Sequence, residues 1–380
     1  MGKRIKLGLI FSYNEDWIGG SYYILNLIAA LNKMPDEKQP LIYILSNSIK
    51  DFNSAKDLGY KYLKFYNPYV FEMNLFDRIV DKILQPILGK KIYQKLIIHT
   101  KINVLFPATN NDCYDLIKNK IYWFPDFQHL YYPEYFSEID LIKRNSILSK
   151  IASSNKKLVL SSNASRLDWE SMNLSTKCKV FVLPFSVSHP TLITDNADKI
   201  LKEYSISMPY FIVCNQFWKH KNHLIVLKAI LACRNSGYNL LVVFTGKYDS
   251  NENADTFNSF IKFIDLNDLR DNVKILGLID RDKQLSLMKS SIAVVQPSLF
   301  EGWSTVIEDA KALRIKVIAS DIPVNREQIS ENVLFFSPSN EFDLAKSFEL
   351  SSELVTKEVE SDYESKRLNF AYKFLELIQN

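Results

Sequence analysis

The chain has 380 residues, 47% of them hydrophobic and 24% charged, with a formal net charge of +4. That length and composition suit a folded protein of two α/β domains of roughly 150–200 residues each. So small a net charge gives no support for nucleic acid as a partner, and no run approaches the roughly 20 apolar residues that span a bilayer. Cys113, Cys178, Cys214 and Cys233 stand far apart with no CxxC, the usage of reduced thiols in a cytoplasmic protein. The start, Met1-Gly-Lys-Arg-Ile-Lys, is basic, but Asn14-Glu-Asp16 follow too soon for a signal peptide. His220-x-x-His223 lies among lysines without partnering acids, so no metal site is expected.

Apolar runs alternate with helical patterns from end to end, which predicts parallel sheets with helices on both faces. Strands are expected near 5–11, 40–46, 102–106, 120–124, 157–161 and 179–183, then near 210–214, 240–245, 273–276, 292–296, 315–319 and 333–336. The pattern breaks near Ser186-Val-Ser-His-Pro190. Two doubly wound, Rossmann-like domains follow, about 1–188 and 189–365, and a last helix over Glu364 to Gln379.

In chain order, the first strand leads into Trp17-Ile-Gly19-Gly20-Ser21 and a helix over Tyr23 to Leu31. Glycines there let a backbone approach a phosphate closely, though turns use Gly-Gly constantly. Residues 72–101 mix Leu75, Ile79, Ile83 and Leu88 with Lys82, Lys90, Lys91, Lys95 and Lys101. They read either as a surface docking on anionic lipid or as a helix pair packed on the first domain with lysines outward. Tyr122-Trp-Phe-Pro125-Asp126-Phe-Gln-His129 ends another strand. His129 can donate or accept near neutral pH, and Asp126 is the alternative for the same task. The competing reading packs His129 among Tyr131, Tyr132 and Phe136.

The second half opens on Cys214-Asn215-Gln216-Phe-Trp-Lys219-His-Lys221-Asn222. An ammonium at Lys221 would neutralise a diphosphate. Gly277-Leu-Ile279-Asp280 ends a later strand. The densest stretch is Ser298-Leu-Phe-Glu301-Gly-Trp303-Ser304-Thr305-Val-Ile-Glu308-Asp309-Ala-Lys-Ala. A strand, an acidic loop and a helix start sit together here, where parallel sheets bind ligands. Free N–H groups at the helix start suit phosphate, and the carboxylates suit sugar hydroxyls. Thr305-x-x-Glu308 reads as a capping box, which would occupy Glu308 in structure. Pro323 to Gln328 reads as support for the acidic loop.

This stretch resembles the signature of retaining glycosyltransferases of family 4, whose fold is GT-B: a Glu, seven residues, a second Glu, then Ala-x-Ala-x-Gly-x-Pro-Val. In register, Glu301 falls on the first Glu and Asp309 on the second, with Ala310, Ala312 and Val317 behind. The aspartate is shorter by about 1.5 Å, and Glu308 is the neighbour that could substitute. Arg314 and Lys316 stand where the family usually has Gly and Pro. The resemblance implies that Glu301 contacts the donor sugar, that Asp309 holds the nucleotide ribose, and that amides at Trp303, Ser304 and Thr305 reach phosphate or sugar hydroxyls. It implies that Lys221 meets the diphosphate, that Asn215 or Gln216 replaces the usual Arg, and that the loop around Ile279 reads the base. It sets Gly19 and Gly20 near the donor diphosphate and the acceptor, places His129, or Asp126 in its stead, at the cleft against the donor sugar with the acceptor entering past it, and folds the helix 366–380 back onto the first domain.

The implied reaction moves a sugar, with retention, from a nucleotide-sugar donor of undetermined base to a glycan or lipid-linked saccharide acceptor. It needs no cofactor and no metal. Bacterial surface polysaccharide synthesis is the implied setting, in the cytoplasm, with peripheral contact at the inner membrane surface. The alternative is a catalytically degenerate GT-B homologue acting as a nucleotide-sugar-binding or partner protein, suggested by Asn215 and Asp309.

Overall fold

The computed structural model describes residues 4–15, 17–67, 82, 101–108, 114, 117–189, 197–207, 209–249, 254–351 and 363–379. The stretch 72–101, apart from Lys82 and Lys101, lies outside the described residues, and with it the choice between lipid docking and a packed helix pair. The described strands form two sheets, each wholly parallel. The first contains β1 (Lys6–Ile10), β2 (Leu41–Leu45), β3 (Leu63–Tyr66), β4 (Val104–Phe106), β5 (Asn119–Phe124), β6 (Lys157–Leu160) and β7 (Lys179–Val182), in the order β3-β2-β1-β4-β5-β6-β7. The second contains β8 (Tyr210–Cys214), β9 (Leu241–Thr245), β10 (Val273–Gly277), β11 (Val294–Gln296), β12 (Val317–Ser320) and β13 (Val333–Phe336), in the order β10-β9-β8-β11-β12-β13.

Central strands covered on both faces read as unbroken apolar runs. Tyr210-Phe-Ile-Val-Cys214 and Leu241-Val-Val-Phe-Thr245 are buried at every position. β3 is the strand that hydrophobic pattern misses. Among the described residues Leu63-Lys-Phe-Tyr66 pairs with β2 on one side only, exposes Lys64 and buries none of its residues fully. An edge strand this short carries too little apolar signal to stand out.

The described α-helices in the first half are α1 (Ile18–Asn32), α2 (Ile49–Lys56), α3 (Gln128–Tyr131), α4 (Glu138–Ser153) and α5 (Asn163–Ser171). Those in the second half are α6 (Ala197–Glu203), α7 (His223–Asn235), α8 (Ala254–Leu266), α9 (Arg281–Ser290), α10 (Thr305–Leu313), α11 (Pro323–Gln328) and α12 (Glu341–Ser351), and the last is α13 (Tyr363–Gln379). α13 packs on the first sheet although it follows the second in sequence. Phe370, Ala371, Phe374, Leu375, Leu377 and Ile378 share a core with Leu7, Tyr23, Leu27 and Phe106. Phe374 meets Phe106 edge-on at 5.1 Å, and Phe370 meets Tyr23 at 5.9 Å. A chain returning to its first half in this way ties both halves to one another.

Candidate functional site

In the second sheet the strand order reverses between β8 and β11, the crevice where open parallel sheets take ligands. Two polar side chains meet there. Asn215, just beyond β8, donates from Nδ2 to Oε1 of Gln296, the last residue of β11, at 3.1 Å. Gln296 Nε2 donates to Glu301 Oε1 at 2.7 Å, and Lys221 Nζ donates to the same oxygen at 2.6 Å. Glu301 and Lys221 side chains are only 8% and 17% exposed, so the pair is partly desolvated and stronger than a surface ion pair.

The lysine is placed by a short 3₁₀ turn, Lys219–Lys221. Asn222 ends that turn in the left-handed region, φ 55°, and its Nδ2 donates to the carbonyls of Pro297 and Pro338 at 3.2 and 2.9 Å. The Leu299 N–H donates to the His220 carbonyl at 2.7 Å. Lysine turn and acidic loop are thereby one fastened unit. Lys219 points elsewhere, over the Tyr135 ring at 4.6 Å. Gln216 crosses to the first domain, donating to the Glu15 carbonyl at 2.5 Å.

The acidic loop then touches the first domain. A Cβ on Gly302 would stand 2.2 Å from the Pro125 carbonyl oxygen and 3.0 Å from the Asp126 Cβ, a clash with backbone that only glycine avoids. Asp126 is therefore set against the loop beside Glu301. Its Oδ1 accepts from the Gln128 N–H at 3.1 Å and lies 3.7 Å from Arg144 Nη1. His129, chosen first from sequence, is not presented to the loop in this way. It is 3% exposed, with both ring nitrogens out of solvent, among Phe124, Phe127 and Phe136. Burial, and then the Arg144 charge, push its pKa down. A histidine with aromatic residues on both sides of it in sequence folds into their cluster because its ring is largely apolar.

Three further expectations change with the geometry. Gly19 and Gly20 lie in the first turn of α1, not in a loop before it. The Trp17 indole lies flat on Gly20, where a Cβ would be 2.5 Å from the ring, while nothing stands within 4 Å of a Cβ at Gly19. The capping box does not form either: the N-cap of α10 is Ser304, whose Oγ accepts from the Ile307 N–H at 3.3 Å. Glu308 instead turns to the helix flank. It takes Lys311 Nζ at 2.6 Å, Tyr363 Oη at 2.5 Å and Gln328 Nε2 at 3.1 Å, and is 1% exposed. Finally, the Ser304 N–H is spent on Gln328 Oε1 at 3.0 Å, and Gln328 Nε2 donates back to the Ser304 carbonyl at 2.7 Å. That amide is not free for a ligand. Thr305 opens α10 half-buried, and the Trp303 Nε1 donates to the Phe185 carbonyl at 3.1 Å.

Asp309 is fully buried, one turn along α10. Its Oδ1 accepts from Arg281 Nη2 and from His189 Nε2, the latter at 2.9 Å. Its Oδ2 has no hydrogen-bond partner among the described residues. Arg281 opens α9 two residues after half-buried Ile279, and its guanidinium lies 4.9 Å over the Tyr22 ring of α1. Gln296, Arg281, His189 and Tyr22 are the partners that sequence reading missed. Gln296 left a trace, a polar residue closing a buried apolar strand. The other three lie far from Asp309 in sequence and carry no local pattern.

The site thus brings together Asn215, Lys221, Glu301, Asp126 and the Trp303–Ser304 loop, with Asp309 at a second node. Gln216 leads from Asn215 to the first domain, and His129 is buried among aromatic rings three residues beyond Asp126. Residues 198–360 match the family described as glycosyl transferases group 1. The O-antigen chain mannosyltransferase RfbU of Salmonella typhimurium is 31% identical over 132 residues, 35% of this chain and 35% of that protein's length. A glycosyltransferase from Rickettsia africae has a similar structure, with a TM-score of 0.67, 15% identity and coverage of 100% of this chain and 98% of its own. Anabaena Alr3699/HepE, solved with UDP and glucose, gives a TM-score of 0.66 at 13% identity, covering 99% and 97%. The match to that family spans residues 198–360, and the likeness to the solved structures covers the whole chain and shows the two-domain GT-B fold.

Proposed function

We propose that the protein transfers a sugar from a nucleotide-sugar donor to a glycan or lipid-linked saccharide acceptor, with retention of configuration, in bacterial surface polysaccharide synthesis. The observation that carries this reading is the fastened Lys221–Glu301–Gln296 cluster at the reversal point of the second sheet, facing Asp126 across the seam. A carboxylate and an ammonium held on adjoining loops suit the hydroxyl side of a sugar and the diphosphate beside it. RfbU, matched over a third of its length, is named as an O-antigen chain mannosyltransferase, which supports the choice of setting.

In this reading Lys221 neutralises the departing diphosphate, the largest single contribution expected in such a transfer. Glu301 orients the sugar ring by its hydroxyls. Asp309 takes the ribose. The acceptor enters from the first domain past Gly20 and Asp126, and a departing phosphate oxygen receives its proton on the same face. Contacts across the seam exclude water and limit hydrolysis of the donor. No side-chain nucleophile and no metal are invoked, and the reaction runs in the cytoplasm with the protein at the inner membrane surface. Among the described residues no helix is long and apolar enough to cross a membrane.

Titration calorimetry with UDP, GDP, ADP and dTDP tests the donor site. One of them binds wild type and binds neither Lys221→Ala nor Asp309→Ala to the same extent, each losing roughly 10-fold or more. Equal binding to all three proteins would remove these residues from the donor site. Binding without transfer to any saccharide acceptor would favour the degenerate, nucleotide-sugar-binding alternative.

A further inference from the structure

The surroundings of Asp309 are asymmetric. A carboxylate offers about two acceptor positions on each oxygen. On Oδ1 both are filled, by Arg281 Nη2 and by His189 Nε2. A carboxylate only accepts, so the His189 Nε2 carries its hydrogen toward it. On Oδ2 neither is filled among the described residues, although Asp309 is fully buried. A buried acceptor without a donor is costly, and native proteins keep such an atom where something else satisfies it.

The Oδ1 partners are themselves held. Arg281 Nη1 donates to Gln284 Oε1 at 2.8 Å, and Gln284 Nε2 donates to Thr245 Oγ1, at the end of β9, at 3.0 Å. The guanidinium also rests over Tyr22. Arg281 is thus fixed from β9, α9 and α1 together, and the carboxylate cannot turn without breaking a charged contact. The lone pairs of one carboxylate oxygen diverge, whereas the hydroxyls of a vicinal diol lie side by side, so a diol is held as a pair where both oxygens are free to accept. Here one is.

We propose, resting on the donor reading above, that Arg281 is a positioning residue that makes Asp309 a one-oxygen acceptor, so that the site grips one hydroxyl of the ribose instead of the pair. The nucleotide's sugar is then read at a single position, and the other hydroxyl is dispensable.

The test is titration calorimetry with uracil, guanine, adenine and thymine nucleoside diphosphates, each in ribo, 2′-deoxy and 3′-deoxy form. Wild type, Arg281→Gln and Arg281→Lys are compared, with thermal unfolding to show that each is folded. In wild type, loss of one hydroxyl weakens binding roughly 10- to 100-fold and loss of the other by less than about threefold. Arg281→Gln brings the two deoxy forms to within about threefold of each other, and Arg281→Lys restores part of the difference. A merely structural role for Arg281 would lower all affinities together and leave their ratio unchanged. Equal losses for both deoxy forms in wild type, or an unchanged ratio in Arg281→Gln, would overturn the proposal while leaving the donor site standing. A folded wild type that binds none of the diphosphates would overturn the donor reading and this inference with it.

Discussion

Glu301 and Asp309 stand on the same strand–loop–helix unit, yet they are held in different ways. Glu301 takes both of its donors, Lys221 and Gln296, from its own domain, through loops strapped to one another. Asp309 takes its donors from Arg281, which leans on α1 of the first domain, and from His189 in the segment between the sheets. One acid is preset by local structure. The other is set only when the two halves are assembled as they are here. Glu308, lying between them in sequence, is different again: Lys311, Gln328 and Tyr363 bind it into a buried seam, and burial followed by the Glu308 charge raises the Tyr363 pKa well above its usual range. Three acids of one motif are thus held in three ways: Glu301 in the loop before α10, Asp309 where the two halves meet, and Glu308 in a buried seam.

This contrast can be broken most sharply at Glu301. Replacing it by Gln keeps the shape and the Gln296 contact but removes the charge, so transfer falls on the order of 10²- to 10³-fold in kcat, measured by release of nucleoside diphosphate. Thermal unfolding changes little. A loss of the same size from Glu308→Gln would mean that the two acids have been assigned the wrong way round.

Gly302→Ala addresses the seam. Its new Cβ would stand 2.2 Å from the Pro125 carbonyl oxygen, so the loop must retreat from Asp126. A displacement of about 1 Å costs roughly 10²-fold in turnover, while nucleotide affinity, set within the second domain, falls much less. Steady-state kinetics beside calorimetry separate the two, and an unchanged kcat would show that the close approach is not needed for transfer.

Gln328→Ala tests the structural acid. It strips the amide from both backbone groups of Ser304 and from Glu308, leaving the buried Ser304 N–H unpaired at a cost of about 1–3 kcal/mol in chemical denaturation. A change under about 0.5 kcal/mol would place that bracket outside the folding core.

The smallest effect is on pH dependence, and it arises beneath the site. His223, buried under Asn215 with Nε2 3.2 Å from its carbonyl oxygen, has its pKa pushed down to about 3 by burial. The unfolded chain binds a proton near pH 6.5 that the folded chain refuses, so stability is full above that pH and declines as pH falls toward 3. Between pH 6.5 and 5.5 the loss is roughly 1 kcal/mol. Replacing His223 by Phe removes this part of the slope; an unaltered slope would assign it to other groups.

How much of this was legible in the sequence follows from the reach of each signal. The central strands announce themselves because they are buried on both faces, and the acidic loop because its residues are contiguous. β3 escaped as a half-exposed edge. The helix cap falls one residue earlier than expected because Ser304 and Thr305 are both cap formers and the glutamate three residues after Thr305 imitates a capping box. His129 was read for its chemistry, whereas the aromatic residues around it fixed its burial. The Arg281 and His189 contacts depend on how the two halves meet, which no local pattern encodes.

The most direct measurement is a crystal structure with an intact nucleotide sugar bound. Sugar hydroxyls are expected within about 3 Å of Glu301 and a ribose hydroxyl within about 3 Å of the Asp309 Oδ2, with the diphosphate against Lys221. A donor bound elsewhere, with the Lys221–Glu301 pair and the Asp309 Oδ2 untouched, would contradict it.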